Sequence, residues 1–195
     1  MTEMNCSYHA RKSSKGFTFL ELLVVMVIVA VIGTYTTISL RKSILHNQLQ
    51  KASFEAMAQL SSVRPLALKN DARVLVSFSA KACSVFVDTS GDNAAQADEF
   101  SYAWEINRTV LLGLPSSGST PNSAPPGSQL PLSGEVAAGQ WSKQFVINND
   151  ALGSMNTGCL YLHSPKLDGK AYCITSFTSQ TLKVYSWNGG TWNAE

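Results

Sequence analysis

Charge is scarce in this sequence and unevenly placed. Only 14% of the 195 residues are Asp, Glu, Lys or Arg, too few for the dense basic surface of a nucleic-acid footprint. Of 15 basic and 13 acidic side chains, Arg11, Lys12, Lys15 and Glu3 precede residue 17, and the remainder is balanced at twelve of each. Nucleic acid is therefore not an expected partner. Histidine is rarer still. His9, His46 and His163 stand apart with no nucleophile motif beside them, which argues against an enzyme. No glycine-rich phosphate loop occurs. The four cysteines, Cys6, Cys83, Cys159 and Cys173, form no CxxC pair, which argues against the common zinc frameworks.

What the chain has instead is one long apolar run. Phe17 to Ile32 reads FTFLELLVVMVIVAVI with Glu21 as its only charge, and the apolar character continues past Gly33 to Ile38. About 20 such residues suffice for a membrane helix. Arg11, Lys12 and Lys15 stand directly before the run and are expected to hold that end in the cytoplasm, with the chain beyond residue 40 on the far side. No small-x-small site closes the run, unlike a secretory signal peptide. A carboxylate within a membrane helix costs about 2.5–3.5 kcal/mol on insertion scales, so Glu21 needs a partner or a task.

Beyond the run, apolar positions 40, 44, 45, 49, 52, 56, 60, 63 and 67 keep helical spacing. Residues 17–40 thus read as a membrane helix and 41–70 as its amphipathic continuation, with Pro65 expected to end or bend it. His46 is expected to be a solvated side chain there. Stretches at Arg73–Ser79, Ala82–Val87, Phe100–Ile106, Thr109–Leu112, Gln144–Ile147, Gly158–His163, Lys170–Phe177 and Thr181–Trp187 carry strand composition. A Pro/Gly/Ser-rich stretch at 113–134 is expected to be a flexible loop too polar to bury, and Asn188-Gly189-Gly190 breaks the last strand. The expected fold class is α+β: a long N-terminal helix packed on a small antiparallel β-sheet head spanning 71–195. Trp141 and Trp187 are expected in its core and His163 as a satisfied strand residue, with Trp192 available for a partner.

Two sets of head residues invite chemistry. Cys159 and Cys173 flank the turn Ser164-Pro165-Lys166-Leu167-Asp168-Gly169, which makes them the disulfide candidates if the head is exported; three buried free thiols are the alternative. Asp88, Ser90, Asp92 and Glu99 fall at positions 1, 3, 5 and 12 of a calcium-loop template. The template's glycine is replaced by Asn93, and a polar turn between strands accounts for the same residues. No cofactor is otherwise expected.

Lys15-Gly16-Phe17-Thr18-Phe19-Leu20-Glu21-Leu22 resembles the prepilin processing motif of type IV pilins and type II secretion pseudopilins. The resemblance implies a leader of residues 1–16, cut between Gly16 and Phe17 by a membrane prepilin peptidase, with N-methylation of Phe17. Glu21 would then be the fifth residue of the mature chain, set to neutralise the N-terminal amine of a neighbouring subunit and reduce the cost of burying both charges. Many relatives carry a proline where this chain has Ile38; Gly33, Thr34, Thr36 and Thr37 supply weaker helix formers instead. The order of elements, with Leu66-Ala67-Leu68-Lys69-Asn70 and Val85-Phe86-Val87-Asp88, also resembles the GspH/FimT-type pseudopilin domain. That implies a pilin-like fold and a non-catalytic minor pseudopilin or minor pilin, for type II secretion or type IV pilus assembly. Its partners would be other pilins and an inner-membrane assembly platform, with the anchor in the bacterial inner membrane and the head in the periplasm. A pilin-like DNA-binding subunit for DNA uptake is the alternative, and the balanced charge weighs against it.

Overall fold

The computed structural model describes residues 16–115, 120–131, 135–178 and 180–195, so residues 1–15, with Cys6, His9, Arg11, Lys12 and Lys15, lie outside it. One helix, α1 (Phe19–Asn70), is followed by antiparallel strands, and the fold is α+β and pilin-like. The chain divides between Leu40 and Arg41 into two units.

In the second unit α1 buries Leu49, Ala52, Ser53, Ala56, Leu60, Val63 and Ala67, the face that helical spacing picks out from position 49 onward. Three of these are alanines, which let the helix backbone lie close to the strands. Leu40 and Ile44, at the start of the same spacing, are exposed. Pro65 was expected to end or bend the helix; it lies inside α1 and does not end it. Val63 and Ala67, on either side of it, are fully buried, and that packing holds the helix through the lost backbone bond. The stop comes at Asn70. Asp71 takes a left-handed conformation (φ 48°), and the Ala72 N–H donates back to the Ala67 carbonyl, which is a Schellman ending.

Two sheets follow. The first has strand order β3-β2-β1-β6, built from β1 (Arg73–Phe78), β2 (Ala82–Asp88), β3 (Ser101–Glu105) and β6 (Phe145–Ile147). The second has order β10-β9-β8-β7-β4 with β5 also on β7. Its members are β4 (Leu111–Leu112), β5 (Ala137–Gly139), β7 (Gly158–His163), β8 (Ala171–Thr178), β9 (Thr181–Trp187) and β10 (Trp192–Ala194). The period-2 alternation of β1 and β2 sends Val74, Val76, Cys83, Val85 and Val87 into one core with Leu160, Leu162, Ile174 and the buried face of α1. Trp141 closes it, with its ring 4.6 Å from that of Phe145 and its indole N–H donating to the Asn156 carbonyl.

Three readings of the head need correction. Thr109–Leu112 is strand only at Leu111–Leu112, because Asn107 turns the chain by accepting from the Thr109 N–H. β5 and β10 are additional strands. The 113–134 stretch, in its described part, is packed: Pro121 and Pro125 are buried, and Leu114 and Leu130 cover a second small cluster of Ala138, Cys159, Tyr161 and Cys173.

Candidate functional site

The processing segment begins with an exposed Gly16, where an added Cβ would meet nothing within 4 Å. The fold itself therefore makes no demand for glycine here. Thr18 follows as the helix N-cap. Its Oγ1 accepts the Glu21 N–H at 3.2 Å, and its carbonyl accepts the Leu22 N–H. Thr18-Phe19-Leu20-Glu21 thus has the spacing of a capping box. The cap was legible in the sequence as T-x-x-E, and reading Glu21 only as a buried charge overlooked it. Helix initiation falls just inside the proposed cleavage point, so the same residues set the helix start and the position of Glu21.

The Glu21 carboxylate has no hydrogen-bond or ionic partner among the described residues, while Phe17, Phe19, Leu20, Leu22 and Leu23 around it are exposed. α1 is long and apolar enough to cross a membrane, and none of its apolar window is buried within the chain. The weak helix formers near Ile38 do not interrupt it. Thr34, Thr36 and Thr37 each donate a hydroxyl hydrogen bond to the carbonyl four residues back, at 2.8–2.9 Å. Those bonds satisfy the side chains inside the helix, as an apolar surrounding requires.

In the head, the calcium template is occupied by hydrogen-bond donors of its own loop. Asp88 Oδ1 accepts from the Gly91 N–H at 2.6 Å and from the Ser90 hydroxyl. Its Oδ2 accepts from Asn93 N–H and from Arg73, 3.1 Å away. Glu99 Oε1 accepts from Thr89 and Ser90, and Oε2 from Gln96. Burial pushes the Glu99 carboxyl up, but the Ser90, Gln96 and Thr89 N–H bonds outweigh it and hold it below the usual range. Asp92 is lowered chiefly by the Ala94 N–H and by Gln96. The four residues share one turn, yet N–H groups converge on the oxygens a cation would need. Among the described residues no group of three or more His, Cys, Asp and Glu is placed to hold a metal.

Cys159 and Cys173 are both buried and share the second cluster, with their thiols free. His163 Nδ1 lies 2.8 Å from the Gly113 carbonyl, a satisfied strand residue as expected. His46 is not the solvated side chain expected. It is half-buried, with its ring centroid 6.4 Å from that of Tyr172, and its Nδ1 is buried without a partner. Trp141 and Trp187 are in the core. Trp192 packs on Tyr161 and Trp187 and donates to the Ser123 carbonyl at 2.7 Å, so it holds the loop rather than waiting for a partner. A cavity of about 230 Å³ between α1 and the end of β3 is lined by Glu55, Gln59, Trp104 and Glu105 among others, with no nucleophile–base pair.

No curated protein and no solved structure matches the chain. Residues 11–36 match the family model of the prokaryotic N-terminal methylation motif, which covers the basic leader end, Gly16, Phe17, Glu21 and the first part of the apolar helix. With that motif set at the start of a long helix followed by antiparallel sheets, the chain has the N-terminal motif and the element order of a type IV prepilin-like protein.

Proposed function

We propose that this protein is a non-catalytic minor pilin or pseudopilin, cut between Gly16 and Phe17, N-methylated on Phe17 and assembled into a membrane-rooted filament through α1. The prepilin has its N-terminus in the cytoplasm and its head in the periplasm, anchored in the inner membrane beside an assembly platform. The observation that carries this reading is the methylation motif at residues 11–36, placed so that Glu21, with no partner among the described residues, stands on an apolar, exposed helix. A carboxylate so placed gains from a cationic partner in a neighbouring subunit.

The motif is tested on intact mass. Co-expression of the full chain with a prepilin peptidase is expected to remove residues 1–16 and add one methyl group to Phe17. Gly16→Val is expected to retain the leader at unchanged membrane content, because open space surrounds Gly16 and the fold tolerates a side chain there. Cleavage of Gly16→Val at the parental level, or an unprocessed parent chain, would overturn the assignment.

A further inference from the structure

The two edges of the first sheet differ. At β6 the edge is closed. The Val146 N–H donates to the Asn156 side-chain carbonyl at 3.0 Å, and the Asn156 N–H donates to the Val146 carbonyl. Just beyond, the Asn148 N–H donates to the Ser154 carbonyl and Ile147 bridges Met155. At β3 the edge is open. β3 ends the strand order, with β2 as its neighbour. The Val87 N–H donates to the Phe100 carbonyl and the Ile106 N–H to the Lys81 carbonyl. In the β2–β3 register, residues 100, 102, 104 and 106 therefore turn their backbone groups toward β2. The N–H and C=O groups of Ser101, Ala103 and Glu105 point the other way, where among the described residues no strand meets them. One face of this edge carries an aromatic row. Ring centroids of Phe100 and Tyr102 are 6.0 Å apart, and those of Tyr102 and Trp104 6.1 Å. Phe100 is 58% exposed. The Trp104 indole N–H is buried with no acceptor, and Trp104 and Ile106 line the cavity of about 230 Å³ beside α1. No proline or lysine guards the strand.

We propose that two copies of this protein pair through β3, antiparallel across a two-fold axis at Ala103, so that the first sheet runs on from one head into the other. An isologous contact matches the strand with itself, which leaves few registers. Centred on Ala103, the pairing sets Ala103 opposite Ala103 and Ser101 opposite Glu105. All three outward-facing residues then exchange backbone hydrogen bonds with the second copy. Moving the axis to Tyr102 or Trp104 leaves one of the three beyond the end of the strand. Moving it to Glu105 sets two carboxylates face to face, which destabilises a pair of strands. The Ala103 register also sets Tyr102 opposite Trp104 in the closer, non-hydrogen-bonded positions, where aromatic pairs stabilise a sheet. The Tyr102 hydroxyl of the second copy stands in that row as an acceptor for the Trp104 N–H, whose burial without one is costly. The exposed Phe100 of the second copy comes opposite Ile106, beside the cavity. Glu105 meets the Ser101 hydroxyl, a donor. The pairing goes beyond the filament assignment and does not depend on it.

The test uses the full chain in bacterial membranes, oxidised with copper phenanthroline, with linked peptides identified by mass. The parent chain, whose described cysteines are buried, is the control. Facing Cα atoms in hydrogen-bonded positions lie about 5.5 Å apart, inside the disulfide range of about 4.4–6.8 Å. Ala103→Cys is therefore expected to give a dimer linked from 103 to 103 that the parent lacks. Glu105→Cys alone is expected to stay unlinked, and to link to Ser101→Cys when the two variants are co-expressed. Adding Ala103→Pro to both of those chains removes an N–H that a single head leaves unbonded, and edge strands accept proline. The 101–105 link is expected to vanish while the thermal melt keeps its parental midpoint. Ala103→Cys unlinked above the parent, or Glu105→Cys linking to itself as readily as Ala103→Cys, would overturn the pairing. So would a 101–105 link that survives the proline. A link from 103 to a different protein would give the edge another occupant and overturn self-pairing. Should the proline variant fail to fold, the three cysteine variants decide the question alone.

Discussion

At the scale of single residues, the same side-chain chemistry is turned to opposite uses at the two ends of this protein. Glu21 has no partner among the described residues, whereas Asp88 and Glu99 are fully occupied by their own chain. The spacing Asp88, Ser90, Asp92, Glu99 was visible in the sequence, and it does mark residues that share one turn. What spacing does not encode is the direction of the surrounding dipoles. Here backbone N–H groups point at the carboxylates, so the loop is organised around anions, and among the residue types only Asn93, in place of the template's glycine, separates it from a cation loop. A pH dependence follows. Glu99 is held below its ordinary value in the fold, and an unfolded Glu titrates near about 4.3. Its contribution is therefore complete above that pH and is lost as the pH falls through the lower folded value. Glu99→Gln in detergent-solubilised full chain is expected to melt earlier than the parent at pH 7, with the gap closing below about pH 4. Thermal melts followed by circular dichroism across pH 3–7 check this, and a gap that stays constant would mean that Glu99's charge plays no part.

At the scale of elements, legibility depended on whether an element carries its own pattern. The buried face of α1 from Leu49 to Ala67 could be read from helical spacing because six apolar residues recur on one side. Pro65 does not end α1, since the packing of Val63 and Ala67 on either side of it holds a helix that would stop there in isolation. The strand β5 is Ala-Ala-Gly and has no strand composition to read. Its place on β7 is fixed by its neighbours, including a close approach at Gly158, where a Cβ would lie 2.4 Å from the Trp141 ring. The strand β10 was hidden behind a turn taken as an ending: Gly189 adopts φ 91°, and the chain returns to pair Trp192 with Trp187. That return puts Trp192 over Tyr161 and ties it to the Ser123 carbonyl, so one short strand anchors the proline-rich segment. Trp192→Ala is expected to cost about 1–3 kcal/mol, less than a fully buried aromatic because the ring is part-exposed. The same change should speed proteolytic cutting within residues 113–131 while leaving the β1–β2 hairpin protected. Limited proteolysis with mapped cut sites measures this, and an unchanged pattern would show that the segment holds itself.

At the scale of the whole molecule, the anchor was far more legible than the head, for a physical reason. Insertion, processing and capping act on contiguous sequence, so Lys15-Gly16-Phe17 and Thr18 to Glu21 carry them in a few residues. A head surface is assembled from distant segments, and its partners leave no local pattern. The consequence most open to measurement concerns Glu21. Removing its carboxylate removes a cost of about 2.5–3.5 kcal/mol on insertion scales, so Glu21→Ala is expected to reach the membrane at least as well as the parent chain. In the filament proposed above the balance reverses. The N-terminal amine of a neighbour then lies in apolar surroundings without its counter-charge, and breaking one side of a buried pair costs about 3–5 kcal/mol. Each 1.4 kcal/mol is about tenfold in an equilibrium, so incorporation should fall by on the order of a hundred-fold or more. Equal amounts of Glu21→Ala and parent in washed membranes, together with loss of the variant from the sheared filament fraction, would place the carboxylate in assembly. A variant recovered in filaments at the parental level would leave Glu21 without that role, and a variant missing from the membrane would assign it to insertion instead.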